Sequence, residues 1–202
     1  MQTALIAYYS EADYLAAERA APIRHEYVAG EVFAMAGASK VHGTLALNAA
    51  IALRQHLRGA PCRVWMADMK VRVKADSAYY YPDVVVTCDA TDLSPDAPKD
   101  YVEAPKLVLE VLSDSTEPVD RREKLLSYRR LQSLEEYVLI DQNKAWVEVY
   151  RRTPSGWVHE VYEAGESVQL ASVDLSAPLA DLYADSGIEM VAVSATHAGA
   201  TG

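Results

Sequence analysis

The stretch "PKLVLEVLSDST", residues 105–116, decides how the rest of the chain is read. It is the most apolar strand-like run in the sequence, yet Glu110 stands in its middle. Alternate side chains of a strand share a face. Leu107, Leu109 and Val111 therefore fall on one side, and Val108, Glu110 and Leu112 on the other. Both faces are otherwise apolar, the pattern of a strand covered on both sides. An unpaired carboxylate in such a place costs several kcal/mol. Whatever compensates Glu110 is the first clue to function.

Upstream, Asp83 follows Pro82 and opens a second apolar run, Val84 to Val86. If the two runs are neighbouring strands, Asp83 and Glu110 converge on one cation. Two carboxylates and a backbone carbonyl suit Mg²⁺, with Mn²⁺ as substitute, because Mg²⁺ keeps several waters and completes its shell with phosphate oxygens. Downstream, Pro118 suits the first turn of a helix. At helical spacing, Asp120, Lys124, Tyr128 and Leu131 form one stripe. A lysine turned inward toward two carboxylates can orient water or neutralise charge in a transition state. The alternative for Lys124 is a plain ion pair with Asp120, four residues earlier.

Further out, Ser10 and Asp13 resemble a capping box opening a short helix to about Ala20. "RHEYVAGEVFAMAG" reads as a hairpin turning at Ala29-Gly30. Ser39 caps a long helix that Gly59 stops. "CRVWMA", "MKVRVKA" and "YYYPDVVVTCD" read as strands, and a polar loop runs from Asp89 to Pro105. In the second of these, Lys70, Arg72 and Lys74 share a face that is wet or meets something anionic. "EYVLID" and "AWVEVYRR" pair around 142–144, followed by "GWVHEVYEA", "SVQLAS" and a short closing helix in "APLADLYADSG". This order gives an α/β (α+β) domain with a mixed sheet.

The chain has 202 residues, half of them hydrophobic, and a formal charge of −10. One core and one domain over 1–202 are expected, with residues 193–202 a small polar tail. No signal peptide or membrane span is evident, so the expected location is cytoplasmic. Cys62 and Cys88 are too few and too far apart to read as a disulfide framework or a zinc site. The negative charge argues against a general nucleic-acid binder. It leaves room for local basic patches at 70–74 and 121–130.

"YPDVVV", "KLVLEVLSDST", the Asp120, Lys124, Tyr128 spacing and "EYVLID" together resemble the Uma family of restriction endonucleases, within the PD-(D/E)XK nuclease superfamily. Glu26, Gly30, Glu31, Met35, Gly37, Ser39 and His42 also fall at the family's spacing, and the likeness runs from about residue 24 to 142. It implies a restriction-endonuclease-like mixed sheet flanked by helices and a Mg²⁺-dependent endonuclease acting on DNA, often as a homodimer. Asp83 and Glu110 match the metal ligands, with the Val111 backbone carbonyl a third, and Lys124 matches a lysine relocated from the position that Leu112 holds here. Residues 39–58 carry no carboxylate, which leaves Glu31 and His42 as candidates for a supporting or second-metal role.

Each role has a plainer alternative. Glu110 pairs with a buried base, Asp83 faces water at a strand start, Glu31 is exposed after its turn glycine, and His42 has no task. Tyr128 packs, its hydroxyl reaching the site, and Asp120 orients Lys124. Ser113, Ser115 and Thr116 suit turns and caps rather than nucleophiles. At the level of function, the rivals are a binding module with an impaired site, favoured by Leu112, and a hydrolase of small phosphoesters.

Overall fold

The computed structural model describes residues 8–35, 37–114 and 116–190. The tail at 193–202 and Ser115 lie outside them. Helix α1 (Glu11–Glu18) starts where the Ser10 hydroxyl accepts the Asp13 amide. Strands β1 (His25–Val28) and β2 (Glu31–Ala34) form the hairpin. Ala29 (φ 49°) and Gly30 (φ 101°) supply the two positive φ angles that a tight two-residue turn requires. Helix α2 (Lys40–His56) is capped by Ser39 and buries Leu45, Ala46, Ala49, Ala50 and Leu53.

Then come β3 (Arg63–Met66), β4 (Lys70–Val73), β5 (Ala78–Tyr80), β6 (Val84–Thr87), β7 (Tyr101–Val102) and β8 (Leu107–Leu112). A helical segment follows, and then β9 (Glu136–Asp141), β10 (Trp146–Thr153), β11 (Gly156–Glu163), β12 (Ser167–Leu170) and β13 (Leu175–Pro178). Leu179–Leu182 is the short closing helix. One mixed sheet has the order β2-β1-β5-β4-β7 and the other β11-β10-β9-β8-β6-β3, while β12 and β13 pair apart. The fold is mixed α+β. The larger sheet is covered on one face by α2, against Val84, Val86, Leu109 and Ile140. Its other face, carrying Val85, Val108, Leu112 and Leu139, packs on Val71, Val73 and Tyr80 of the smaller sheet and on the segment after β8. Glu110 is on this second face, between the two sheets.

Three local expectations need correction. "YYYPDVVVTCD" is two strands in different sheets: the chain leaves the smaller sheet after Tyr80 and enters the larger one at Val84. Pro82, with no N–H to give a ladder, sits at the crossing. The loop 89–105 contains β7, which pairs parallel with β4. Cys62 and Cys88 are disulfide-bonded, with Cα atoms 4.1 Å apart. The β3–β6 register, Arg63 opposite Thr87, brings their chain neighbours together across the ladder.

The helix after β8 is also not an ordinary one. Val119–Lys124 is π-helical, and a short α-turn, Leu125–Tyr128, completes it. A wider turn with i→i+5 bonds breaks the 100° spacing on which the expected stripe rests. Leu131 is buried but lies beyond the helix end.

Candidate active site

Strands β6 and β8 are antiparallel neighbours, with Val84 opposite Leu109. Continuing that register sets Asp83 opposite Glu110. The Asp83 amide donates to Glu110 Oε2 at 3.3 Å, and the Val111 amide donates to Asp83 Oδ2 at 2.7 Å. N–H and C=O of one strand residue point to the same edge. The Val111 carbonyl is therefore directed to the Asp83 side, past the end of β6. His42, in the first turn of α2, reaches Asp83 Oδ1 with Nε2 at 2.8 Å.

Lys124 lies at the centre. Its Nζ is 2.9 Å from Glu26 Oε1, 3.1 Å from Asp120 Oδ1 and 3.2 Å from Glu110 Oε1. It is also 5.8 Å from the centroid of the Tyr80 ring. The Tyr128 hydroxyl donates to Glu110 Oε1 at 3.4 Å. Glu26, on β1, is held by the Tyr81 amide at 3.0 Å. The π-turn is pinned from outside: the Tyr137 hydroxyl donates to the Asp120 carbonyl, and Arg121 pairs with Glu117 and with buried Glu148.

Four carboxylates, from β1, the sheet crossing, β8 and the π-turn, thus surround one lysine and one histidine. Glu110, Asp120 and Lys124 are almost fully enclosed, while Asp83 and His42 keep some exposure and form the mouth. Burial pushes the Glu110 carboxyl well above its ordinary range; Lys124 opposes this, and Asp120, Asp83 and Glu26 add to it. Burial alone would lower Lys124, but Glu110, Glu26 and Asp120 overcome it and hold the ammonium charged. His42 is raised: burial works against its charge, but the hydrogen bond and charge of Asp83 prevail, with Asp120 adding. Tyr128 stays protonated, raised by burial and by Glu110.

Lys124 therefore compensates Glu110 only in part. It cannot compensate all four acids, and such a site attracts further positive charge. The donor chemistry fits a hard cation. Each carboxylate oxygen has two lone pairs, and among the described residues Glu110 Oε2 takes only the long bond from the Asp83 amide. Asp120 Oδ1 is buried and accepts no hydrogen bond among the described residues; it meets Lys124 as an ion pair, out of hydrogen-bond alignment. No group of three His, Cys, Asp or Glu side chains is placed to hold a metal among the described residues. Two carboxylates and a carbonyl are the oxygen donors of a partial protein shell, which suits Mg²⁺ better than an all-protein cage would.

The structure thus brings together Asp83, Glu110, Lys124, Asp120, Tyr128 and His42. Glu31, in contrast, is exposed at the start of β2. Glu26, five residues earlier, is the acidic side chain that the amino-terminal hairpin contributes to the lysine. The signal for it is strand parity, since Val28, on the same face, packs into the cluster between the sheets.

The basic clusters are mostly spent within the protein, although Arg122 is exposed and has no ion-pair partner among the described residues. Lys70 is buried near Asp100, Arg72 joins Glu11 and Glu103, Lys74 joins Glu103, and Arg130 joins Asp76. The anionic matter that the Lys70–Lys74 face meets is the protein's own.

A hydrolytic, restriction-endonuclease-like centre is the class that this fold and site resemble. The chain belongs to the Uma2 family, described as "Putative restriction endonuclease", whose model matches residues 11–180. It is 32% identical over 175 residues to "Uncharacterized protein slr1290" of Synechocystis sp., covering 86% of this chain and 90% of that one. With "Uncharacterized protein sll1609" of the same organism it shares 33% over 141 residues, 70% and 79% of the two chains. Its fold is that of a crystal structure described as a "putative nuclease belonging to DUF820" from Anabaena variabilis. The TM-score is 0.71 at 17% identity, covering 87% of this chain and 97% of the other.

Proposed function

We propose that the protein is a Mg²⁺-dependent endonuclease that hydrolyses phosphodiester bonds of DNA, with Mn²⁺ able to substitute. The observation that carries this reading is the convergence of three carboxylates, Glu26, Glu110 and Asp120, on a single buried lysine, with a fourth, Asp83, beside Glu110 at the end of β6 and β8. Asp83, Glu110 and the Val111 carbonyl would hold the cation. Bound there, it supplies polarisation of a phosphoryl oxygen and acidification of water. His42 fixes Asp83 through Oδ1, and the Val111 amide fixes it through Oδ2. Lys124 holds Glu110 in place and supplies positive charge beside the scissile group. Glu26 and Asp120 keep that ammonium charged and aimed. The location is taken as cytoplasmic and the assembly as a homodimer. The Cys62–Cys88 bond argues against the first, because reducing compartments keep such pairs as thiols.

One observation favours the rival, a binding module with an impaired site. All three protons of the Lys124 ammonium already face carboxylates, so none is free for water. Cleavage requires one of these contacts to open. Calorimetric titration of Mn²⁺ into wild type, Asp83→Ala and Glu110→Ala tests the site without guessing a substrate. Binding in wild type and loss in both variants is expected. Nicking of supercoiled plasmid by wild type but not by Lys124→Ala then separates enzyme from binding module. Metal binding without nicking would select the module, and no metal binding in any protein would sink both metal-based readings.

A further inference from the structure

The sequence between Glu31 and Asp68 contains no carboxylate, although the chain as a whole has 29 acidic residues against 19 basic ones. That acid-free stretch includes α2. The exposed ridge of α2 carries Lys40, Leu47, Ile51 and Arg54, and Arg58 follows just beyond its end. Lys40, Arg54 and Arg58 have no ion-pair partner among the described residues. This sets them apart from Arg72, Lys74, Arg121, Arg130 and Arg151, whose charges are met by the protein's own acids. The amino end of α2 is at the mouth of the site: His42 touches Asp83, and the Ser39 hydroxyl donates to Gln142 at 2.9 Å. That bond sets the β9–β10 turn beside α2. Lys144, exposed and also without an ion-pair partner among the described residues, comes two residues after Gln142.

We infer that the α2 ridge is the track on which the nucleic-acid backbone lies, with Lys40 and Lys144 at the mouth and Arg54 and Arg58 farther along. The inference rests on the nuclease reading above and says which surface brings the substrate to it. Lys40 and Arg54 are about 21 Å apart at about 1.5 Å per residue. That is about six phosphates of one strand at about 3.4 Å each. A second copy of the chain is a poor occupant. Pairing α2 with itself, in either direction, brings cations against cations and buries Leu47 and Ile51 at their expense. A polyanion meets no carboxylate on this helix.

The test is anisotropy of a short fluorescein-labelled duplex and of the matching single strand, in EDTA so that nothing is cut, over a range of salt. Arg54→Glu/Arg58→Glu and Lys40→Ala/Lys144→Ala are compared with Lys74→Glu/Arg130→Glu, a control with the same charge change as the first pair. The expected result is about tenfold or greater weakening for the two α2-side variants, with the log–log salt slope reduced by about 0.9 for each phosphate no longer neutralised. The control should stay within about twofold of wild type by the usual weight of distant surface charge. Equal weakening by the control overturns the track, as does wild-type binding that both ridge variants retain. Absence of wild-type binding overturns it as well. In each of these cases the Mn²⁺ titration, which needs no nucleic acid, reports separately on the Asp83–Glu110 site. A polyglutamate tracer bound as tightly as the duplex overturns the assignment in favour of an acidic protein.

Discussion

Glu110 and Glu136 stand on adjacent central strands, and both are buried, at 4% and 0% exposure. Their surroundings differ completely. Glu136 takes Arg151 Nε at 2.6 Å, the amides of Ala171 and Ser172 at 3.0 Å each, and the Ser172 hydroxyl. The Glu136 charge is answered by the Arg151 guanidinium, which it shares with the partly exposed Glu160, and by three donors of its own, and the result pins the turn at 171–173. Glu110 shares one lysine with Glu26 and Asp120, and its other oxygen has only a long bond from Asp83. Burial of a carboxylate therefore does not identify a site. The supply of positive charge and donors does: a charge fully answered is architecture, and a deficit is a place for a ligand.

The sharpest way to break this contrast is to neutralise each glutamate in turn, measuring stability by urea unfolding in EDTA. Glu136→Gln leaves Arg151 with only the partly exposed Glu160 as charge partner and puts an amide against donors, and should cost about 3 kcal/mol. Glu110→Gln removes one charge from an overcrowded set and should leave stability within about 1 kcal/mol of wild type. If Glu110→Gln costs as much as Glu136→Gln, the ion pair with Lys124 is structural in the same sense and the contrast disappears. Adding Mn²⁺ extends the test. Wild type should gain thermal stability, because a ligand that binds only the folded state stabilises it. Glu110→Gln should not gain, and Glu136→Gln should gain as wild type does.

A smaller effect is expected from Glu148, a second carboxylate whose charge is met within the protein. Burial raises its pKa, but Arg121, with Trp146 and His159, outweighs burial and holds it below its ordinary value. Its folded pKa is depressed, so the folded state binds fewer protons than the unfolded one at acid pH. The stability it contributes is present above about 4.5, near the unfolded value, and is lost as pH falls through the folded pKa. Glu148→Gln should flatten the acid limb of stability against pH and leave the neutral-pH Mn²⁺ titration unchanged. A change in metal affinity would show that Arg121 transmits its position along the π-turn to Lys124.

The parts of the site that are legible in the sequence are those governed by strand parity. Glu110 among apolar neighbours and Asp83 at the head of "VVV" need only a period of two. Their adjacency requires the β6–β8 pairing, which parity does not give. Lys124 is reached by α-helical spacing although its turn is π-helical, and this is why the apolar positions around it look scattered. The Cys62–Cys88 bond is hidden because it depends on the β3–β6 register, not on the 26-residue separation between the two cysteines. The basic clusters mislead for a similar reason. Glu11, Glu103 and Asp76 lie next to them in space but not in sequence. Local periodicity is readable, and long-range pairing is not.

Glu26 and Glu31 give the finest comparison, since both belong to one hairpin and both fall at the family's spacing. Strand parity separates them. Glu26 is on the face of β1 that carries Val28 toward the second sheet, and it ends 2.9 Å from Lys124. Glu31 begins the edge strand β2 and is exposed. Glu31→Ala should change stability by no more than about 0.5 kcal/mol, as surface substitutions do, and should leave Mn²⁺ binding unaltered. Glu26→Gln should move metal affinity. With one fewer acid on the lysine, the ammonium turns toward Glu110 and competes with the cation for its oxygens. Weaker Mn²⁺ binding in Glu26→Gln beside unchanged binding in Glu31→Ala would make Glu26 the hairpin's contribution to the site. The reverse result would return that role to Glu31 and require the hairpin to move when metal enters.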